Sequence, residues 1–318
     1  MSTRFIVCLF IVSLLSACAP REPAIDLGGA GPIYQHRPVG HFNQITVEGV
    51  VDVQLHTGYS KPELVLHGDP RDLAYVSSIV NNNHLLLRFT SYPKFGRVTA
   101  DIHTKDLNAF TYKGAGVVKG ERIHSRFLKV FISNPEKTIL AGDMNLNTLV
   151  VKGPSLVEIS GIRSPYLDIS LDDKARVTLT GIAKLGKLDM HGNARLNLSW
   201  ISSDYLMIRA KEKNVIQLAG SVNKLDLELG GSARFNGRYL RASRTFVKTY
   251  GNAVAEINSV DRQHTLASGA SDIHFYNIPV MKNDFMAYNG AVLDMRDWNM
   301  PFMQEYDRYN KDVALGDW

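Results

Sequence analysis

The sequence predicts an all-β fold, a single-stranded parallel β-helix (β-solenoid) of about ten rungs with an N-terminal β cap segment. The first observation is a leucine or phenylalanine that recurs about every twenty residues in the same local setting. The second is the alternation of apolar and polar residues in both halves of each repeat, which indicates half-buried strands. The third is that residues 107–297 contain no apolar stripe of helical period. The recurring positions are Leu107, Leu128, Leu149, Leu167, Leu188, Leu206, Leu225, Phe246, Leu266 and Phe285.

The second half of each repeat begins with a small residue and then alternates apolar and polar residues. Residues 175–181 (ARVTLTG) and 194–198 (ARLNL) show this template. Stacked at strand spacing, about 4.8 Å, the rungs are expected to place leucine on leucine and alanine on alanine. A small inward residue is required where the chain turns tightly, because a large one would collide with the opposite wall.

The repeat weakens from Phe246 onward, where Lys248 takes the place of an apolar residue. Burial of an unpaired lysine would cost several kcal/mol. Lys248 therefore predicts either a register shift or a wall that is open to solvent, with a functional lysine as the alternative.

The N-terminus is typical of a bacterial lipoprotein signal. An apolar stretch from Phe5 to Leu15 is too short to span a bilayer and has the form of a secretory signal. The residues LSA before Cys18 resemble a lipobox, so residues 1–17 are predicted to be the signal peptide and Cys18 the lipid-bearing (palmitate) N-terminus. An ordinary signal peptide with an incidental cysteine is the alternative. Ala19, in place of the aspartate that retains lipoproteins in the inner membrane, predicts the outer membrane, facing the periplasm or the cell surface.

Four regions follow from these patterns. After the signal peptide, residues 18–40 hold the lipidated cysteine and a tether rich in proline and glycine. Residues 41–297 form the solenoid domain, in which a short helix is expected over residues 70–79. Residues 298–318 form an aromatic and acidic tail, predicted to cap the last rung, with binding of a glycan or a partner as the alternative.

Composition limits the chemistry of the chain. The only cysteines are Cys8 and Cys18, so no thiol is left for a disulfide, a thiolate metal site or a nucleophile. The net charge of +5 is spread over 36 basic and 31 acidic residues, which gives no indication of nucleic-acid binding. The ten histidines lack the helical spacing of zinc ligands, so we expect no metal, no cofactor and no catalytic residue.

The segment before the repeats carries a family signature. Residues 42–49 (FNQITVEG) and 51–55 (VDVQL) are followed by Leu64 to Asp69 (LVLHGD) and then by the repeats. This arrangement resembles the GIN domain family, described as auto-transporter adhesin heads, over residues 41–297. The resemblance implies a β-solenoid and a binding role, and it carries no catalytic residues to this chain.

Two ladders of charged residues are the candidate ligand-binding residues. Aspartates follow the repeat leucine and arginines follow the small residue, at Asp168, Asp189, Asp226, Arg176, Arg195 and Arg234. If Asp168 and Asp189 lay about 5 Å apart on adjacent rungs, they would match the carboxyl pair of a retaining glycosidase. A polysaccharide-processing enzyme that uses this pair is therefore the alternative function.

The sequence favours a non-catalytic module over this enzyme, because neither charge ladder extends to most rungs. We expect an outer-membrane lipoprotein that acts as an adhesin-like binding or envelope-structural module. The expected partners are membrane lipid, through the acyl anchor, and a polysaccharide or protein of the envelope or of a host.

Overall fold

The computed structural model describes residues 31–276 and 285–295. Cys18, the signal peptide, most of the tether and the tail 298–318 lie outside the described residues. None of the described residues belongs to a helix with the length and apolar character needed to cross a lipid bilayer. The elements are β1 Ile33–Arg37, β2 Gln44–Gly49, β3 Asp52–His56, β4 Glu63–Gly68, α1 Pro70–Leu73, β5 Val76–Asn81, β6 His84–Phe89, β7 Thr99–His103, β8 Ala109–Gly114, β9 Val118–Ser133, β10 Lys137–Lys152, β11 Leu156–Leu171, β12 Arg176–Met190, β13 Arg195–Ala210, β14 Val215–Leu229, β15 Arg234–Thr249, β16 Val254–Ser268, β17 Asp272–Phe275, β18 Phe285–Tyr288 and β19 Val292–Met295.

The fold is a β-solenoid of about nine turns, which confirms the predicted class. Each long strand from β9 to β16 makes most of one turn and pairs in parallel with the strand before and the strand after it. Buried and exposed residues alternate along each of these strands, since one side chain in two points into the stack. The apolar side chains of successive turns meet inside the stack and form one continuous core.

Most of the repeat leucines form two inward columns and not the single column that was predicted, while Leu266 pairs with Lys248 and points outward. Leu149 pairs with Ile169, and Ile169 pairs with Leu188. Leu206 pairs with Leu225 in a second column, two residues earlier in each strand. The prediction of leucine on leucine throughout is therefore wrong, although the residues of both columns are buried. The turns differ in length by a few residues. Leucines that recur about every twenty residues therefore fall in one column in some turns and in the other column in others.

A shift of one residue explains the polar rungs near the C-terminal end. Thr245, Val247 and Thr249 point inward and are buried, whereas Phe246 and Lys248 point outward. Because side chains alternate in a strand, an error of one residue in the register assigned from the sequence moves every side chain predicted to point inward to the opposite face. Lys248 is exposed, as expected for a wall that is open to solvent.

The small position of the template is a buried corner in each turn from β11 to β17. The column contains Ser155, Ala175, Ala194, Asn214, Ala233, Ala253 and Ser271. Backbone hydrogen bonds of 2.8 to 2.9 Å join the turns at this corner, for example from the Arg195 amide to the Ala175 carbonyl. The small residues are buried at this corner as predicted, and Asn214 occupies it in one turn by hydrogen bonding to the backbone.

A bend divides most of the long strands into an opening and a closing segment. Gly181 and Gly220 lie at this bend with φ of 136° and 133°, conformations that residues with a side chain rarely adopt. A Cβ on Gly220 would lie 2.1 Å from the carbonyl oxygen of Ile201 in the preceding turn. The close stacking therefore requires glycine at these two positions, whereas Ile201 and Leu240 occupy the equivalent positions of the turns on either side of Gly220.

The N-terminal end does not follow the order of the chain. Strands β2 and β3 lie between the pair β6 and β7 and the pair β8 and β9, with parallel pairing on both sides. Strands β1 and β5 close this end in antiparallel pairing with β4 and β6. Residues 33–37 are thus part of the sheet and not of the tether, and the predicted helix over 70–79 is limited to α1. The capping role of this segment remains a prediction.

Candidate functional site

Outward side chains of the opening segments form one surface, here called the opening wall, and those of the closing segments form another, the closing wall. Arg176, Arg195 and Arg234 lie on the opening wall and are exposed. Arg176 pairs directly with Arg195, while Val215 separates Arg195 from Arg234. The predicted arginine ladder therefore exists as one adjacent pair and one separate residue.

The three predicted aspartates lie on the closing wall, away from the arginines. Asp168 pairs with Lys187, and Asp189 pairs with Ser170 and Arg209. Asp168 and Asp189 are therefore offset by two positions along neighbouring strands and do not face each other. The structure does not bring them together as the enzyme alternative requires.

Each aspartate on the closing wall is held by a neighbouring side chain. Asp168 accepts a hydrogen bond of 2.8 Å from the hydroxyl of Tyr166. Asp189 forms an ion pair with Lys187 at 2.6 Å. Asp226 accepts hydrogen bonds from Tyr205 at 3.1 Å and from Arg209 at 2.9 Å. These carboxylates thus fix the orientation of aromatic and cationic side chains.

Exposed aromatic rings follow one another along the closing wall. Tyr166, Tyr205 and Phe246 are 54%, 38% and 40% exposed, and Phe246 stacks on His264 with ring centroids 5.0 Å apart. We call these four residues the aromatic strip. The ammonium of Lys224 lies 5.3 Å from the ring centroid of Tyr205 and 5.1 Å from that of Phe246, within the range of cation–π attraction.

The ring of Tyr166 lies over Gly186 on the next turn. A Cβ at Gly186 would lie 2.9 Å from Cε2 of Tyr166, so the glycine leaves the space that the ring occupies. Together with Lys184, Lys187 and Tyr205, these two residues line a shallow groove in the wall. The groove offers the rings of Tyr166 and Tyr205, which lie two turns apart.

Hydrogen bonds and burial favour the neutral phenols of Tyr166 and Tyr205 and the charged forms of Arg209 and Lys187. The hydrogen bond to Asp168 raises the pKa of Tyr166, and burial followed by the charge of Asp226 raises the pKa of Tyr205. The hydrogen bond to Asp226 raises the pKa of Arg209, and that to Asp189 raises the pKa of Lys187. At neutral pH the wall therefore presents neutral phenols beside paired charges, which suits binding of a neutral or weakly charged ligand.

The aromatic strip was missed from the sequence because Phe246 was placed on the inward face. A signal was present: Tyr166 and Tyr205 each directly precede a repeat leucine, Leu167 and Leu206. A residue next to an inward leucine points outward. The two tyrosines could thus have been assigned to the same wall two turns apart.

The family model described as "Putative auto-transporter adhesin, head GIN domain" matches residues 41–279. The chain belongs to this family. The match includes the whole GIN domain signature from Phe42 to Asp69 and the aromatic strip. Membership in an adhesin-like family indicates an envelope or surface-associated protein, and it confirms the resemblance seen in the sequence.

Several solved structures match most of this chain at low identity. A "putative lipid binding protein" from Parabacteroides distasonis is 15% identical, covers 85% of this chain and 98% of its own, and has a TM-score of 0.48. A "putative adhesin" from the same organism is 17% identical, with coverage of 83% and 96% and a TM-score of 0.44. Another from Parabacteroides merdae is 16% identical, with coverage of 85% and 98% and a TM-score of 0.44. None of the curated proteins is similar enough to count as a relative.

Proposed function

We propose that the protein is an outer-membrane lipoprotein, anchored through Cys18, whose closing wall binds an extended polysaccharide of the envelope or of a host without catalysis. The aromatic strip is the observation that carries this proposal. Flat rings on a rigid wall pack against the apolar faces of sugar rings, while the fixed carboxylates and ammonium groups beside them bond to hydroxyls. An adhesin-like family supports a binding role.

The spacing of the rings supports an extended ligand over a compact one. Tyr166 and Tyr205 lie on β11 and β13, two turns apart, which corresponds to about 9.6 Å at strand spacing. Phe246 and His264 continue the strip on β15 and β16. A linear chain of sugars that runs along the stack would meet these rings in succession, and its affinity would be the sum of several weak contacts.

Replacement of Tyr166 and Tyr205 by alanine in one variant is expected to weaken polysaccharide binding at least tenfold. Each ring contributes stacking energy of order 1 kcal/mol, and a tenfold loss corresponds to about 1.4 kcal/mol. The measurement is binding of the chain from residue 19 onward to a glycan array and to whole cells, followed by titration of the best glycan.

The matched control replaces Tyr75 and Tyr92, which are 53% and 72% exposed but lie far from the closing wall in sequence and fold. This control should bind as the unchanged protein does. The variant Tyr166→Phe keeps the ring and loses the bond to Asp168, so it separates stacking from hydrogen bonding. Failure of the unchanged protein to bind any glycan would contradict the proposal and favour a scaffold role.

The membrane anchor has a separate test. The variant Cys18→Ala cannot receive acyl chains, and several acyl chains are needed for firm attachment. We expect it to leave the membrane fraction and to lose metabolic labelling with palmitate, while the control Cys8→Ala keeps both. Retention of Cys18→Ala in the outer membrane would show that another feature anchors the chain.

A further inference from the structure

Three potential metal ligands converge on the surface at the N-terminal end of the solenoid. His56 at the end of β3 pairs with His103 at the end of β7, and Asp101 lies two residues before His103 on the same face. Nε2 of His56 lies 3.2 Å from Oδ1 of Asp101, and Nε2 of His103 lies 3.1 Å from the same oxygen. One ligand atom from each residue falls within 4.8 Å of the other two.

The contacts among these residues are not hydrogen bonds. Oδ1 of Asp101 is enclosed by its neighbours, and among the described residues it has no hydrogen-bond partner. A ring N–H aimed at this oxygen would satisfy it, but neither histidine meets that geometry. Ligands bound to one ion at about 2.05 Å in tetrahedral arrangement are separated by about 3.3 Å, close to both observed distances. Two of the three separations between ligand atoms therefore match those of ligands on a common ion, and the third lies within 4.8 Å.

A second set of residues holds His103 in place. Oε2 of Glu63 lies 3.5 Å from Nδ1 of His103, on the ring edge opposite the cluster. The other carboxylate oxygen of Glu63 bonds to Nδ1 of His36 at 3.0 Å. The ring of Tyr59 stacks on His103 with centroids 4.4 Å apart. Glu63 thus lies beside Nδ1, where a carboxylate commonly supports a histidine ligand, and Nε2 faces the cluster.

We propose that His56, Asp101 and His103 bind a divalent transition-metal ion, with zinc as the favoured ion. Two imidazoles and one carboxylate match the ligands preferred by zinc, whereas calcium and magnesium require mainly oxygen ligands. The side chains of the three residues are between 20% and 37% exposed, so the cluster lies at the protein surface. All three residues lie on paired strands, which fixes their separation.

This site is independent of the proposed polysaccharide surface, since its residues precede the repeats that carry the aromatic strip. The metal site was not predicted from the sequence, because the prediction of zinc ligands depended on histidines at helical spacing. In a strand, residues two apart share a face, so the run Asp101-Ile102-His103 already places two ligands side by side.

The test is titration of the metal-stripped, untagged full chain with zinc chloride, observed by calorimetry. The unchanged protein should bind one more equivalent of zinc than His103→Ala or His56→Ala does. In either variant, the affinity of this site for zinc should fall at least a hundredfold. The matched control His191→Ala, an exposed histidine at a distant corner, should bind as the unchanged protein does.

A milder variant distinguishes a specific loss of zinc binding from a loss caused by misfolding. Glu63→Gln keeps all three ligands and should weaken zinc binding about tenfold, as expected when only the residue supporting a ligand is altered. Cobalt binding gives a visible absorption spectrum that reports imidazole ligands directly, and this spectrum should be lost in His103→Ala. Equal stoichiometry and affinity in the unchanged protein and both histidine variants would overturn the proposal, as would the absence of zinc binding to the unchanged protein.

Discussion

Replacement of Gly220 by alanine is expected to lower the free energy of unfolding by about 3 to 5 kcal/mol. The φ of 133° at this position disfavours any residue with a side chain. The new methyl group would also lie 2.1 Å from the oxygen and 2.5 Å from the nitrogen of Ile201. These are backbone atoms of the adjacent turn, so relief of the clash requires β13 and β14 to move apart.

The matched control is Gly153→Ala. Gly153 also has a positive φ, 71°, but nothing lies within 4 Å of the position its Cβ would take. We expect a cost of about 1 kcal/mol there, from the backbone alone. Solenoids do not unfold in one step, so the urea midpoint should be combined with amide hydrogen exchange of β13 and β14. Equal losses in the two variants would show that close stacking at the bend contributes nothing.

Replacement of Asn214 by alanine is expected to cost about 2 to 3 kcal/mol. Its side-chain oxygen accepts a hydrogen bond of 2.9 Å from the Ala194 amide in the preceding turn. Its amide nitrogen donates to the carbonyls of Met190, at 3.0 Å, and Lys211. Alanine fits the space, because it occupies this corner in the neighbouring turns. The loss therefore comes from buried backbone groups that no longer have a partner.

The control Asn197→Ala removes an exposed asparagine from the opening wall and should change the stability by less than about 0.5 kcal/mol. Asn214→Ser should recover part of the loss, since Ser155 holds the same corner with a hydroxyl that bonds to two backbone groups. Thermal and urea unfolding of the three variants measures the difference. A variant Asn214→Ala as stable as the unchanged protein would contradict the role of this side chain.

The period of the sequence was sufficient to predict the solenoid and its buried corner. Each turn repeats the same contacts with its neighbours, so residues such as Ala175 and Ala194 recur at fixed places. The register within a turn was not predictable by counting, because bends and insertions change the length of single turns. This variation in turn length places Leu149 and Leu206 in different columns. It also explains the outward position of Phe246.

Prediction of the candidate sites was limited in the same way. Alternation correctly placed Asp168 and Arg176 on the outside, but their neighbours depend on the register. Asp168 therefore lies beside Lys187 and not beside Asp189. The metal-ligand cluster depends on a pairing between β3 and β7 that no repeat encodes, so His56 could not be linked to His103 from the sequence alone.

The position of β2 and β3 between strands that follow them in the chain has a consequence for folding. In the repeats, a residue pairs with one about twenty positions away, and such local contacts close quickly. Ile45 instead pairs with Leu85 on one side and with Phe110 on the other. The N-terminal end cannot be completed until β8 and β9 are available, although it is synthesised first. The order of synthesis and the order of assembly are therefore opposed, and folding is expected to proceed from the repeats toward the N-terminus.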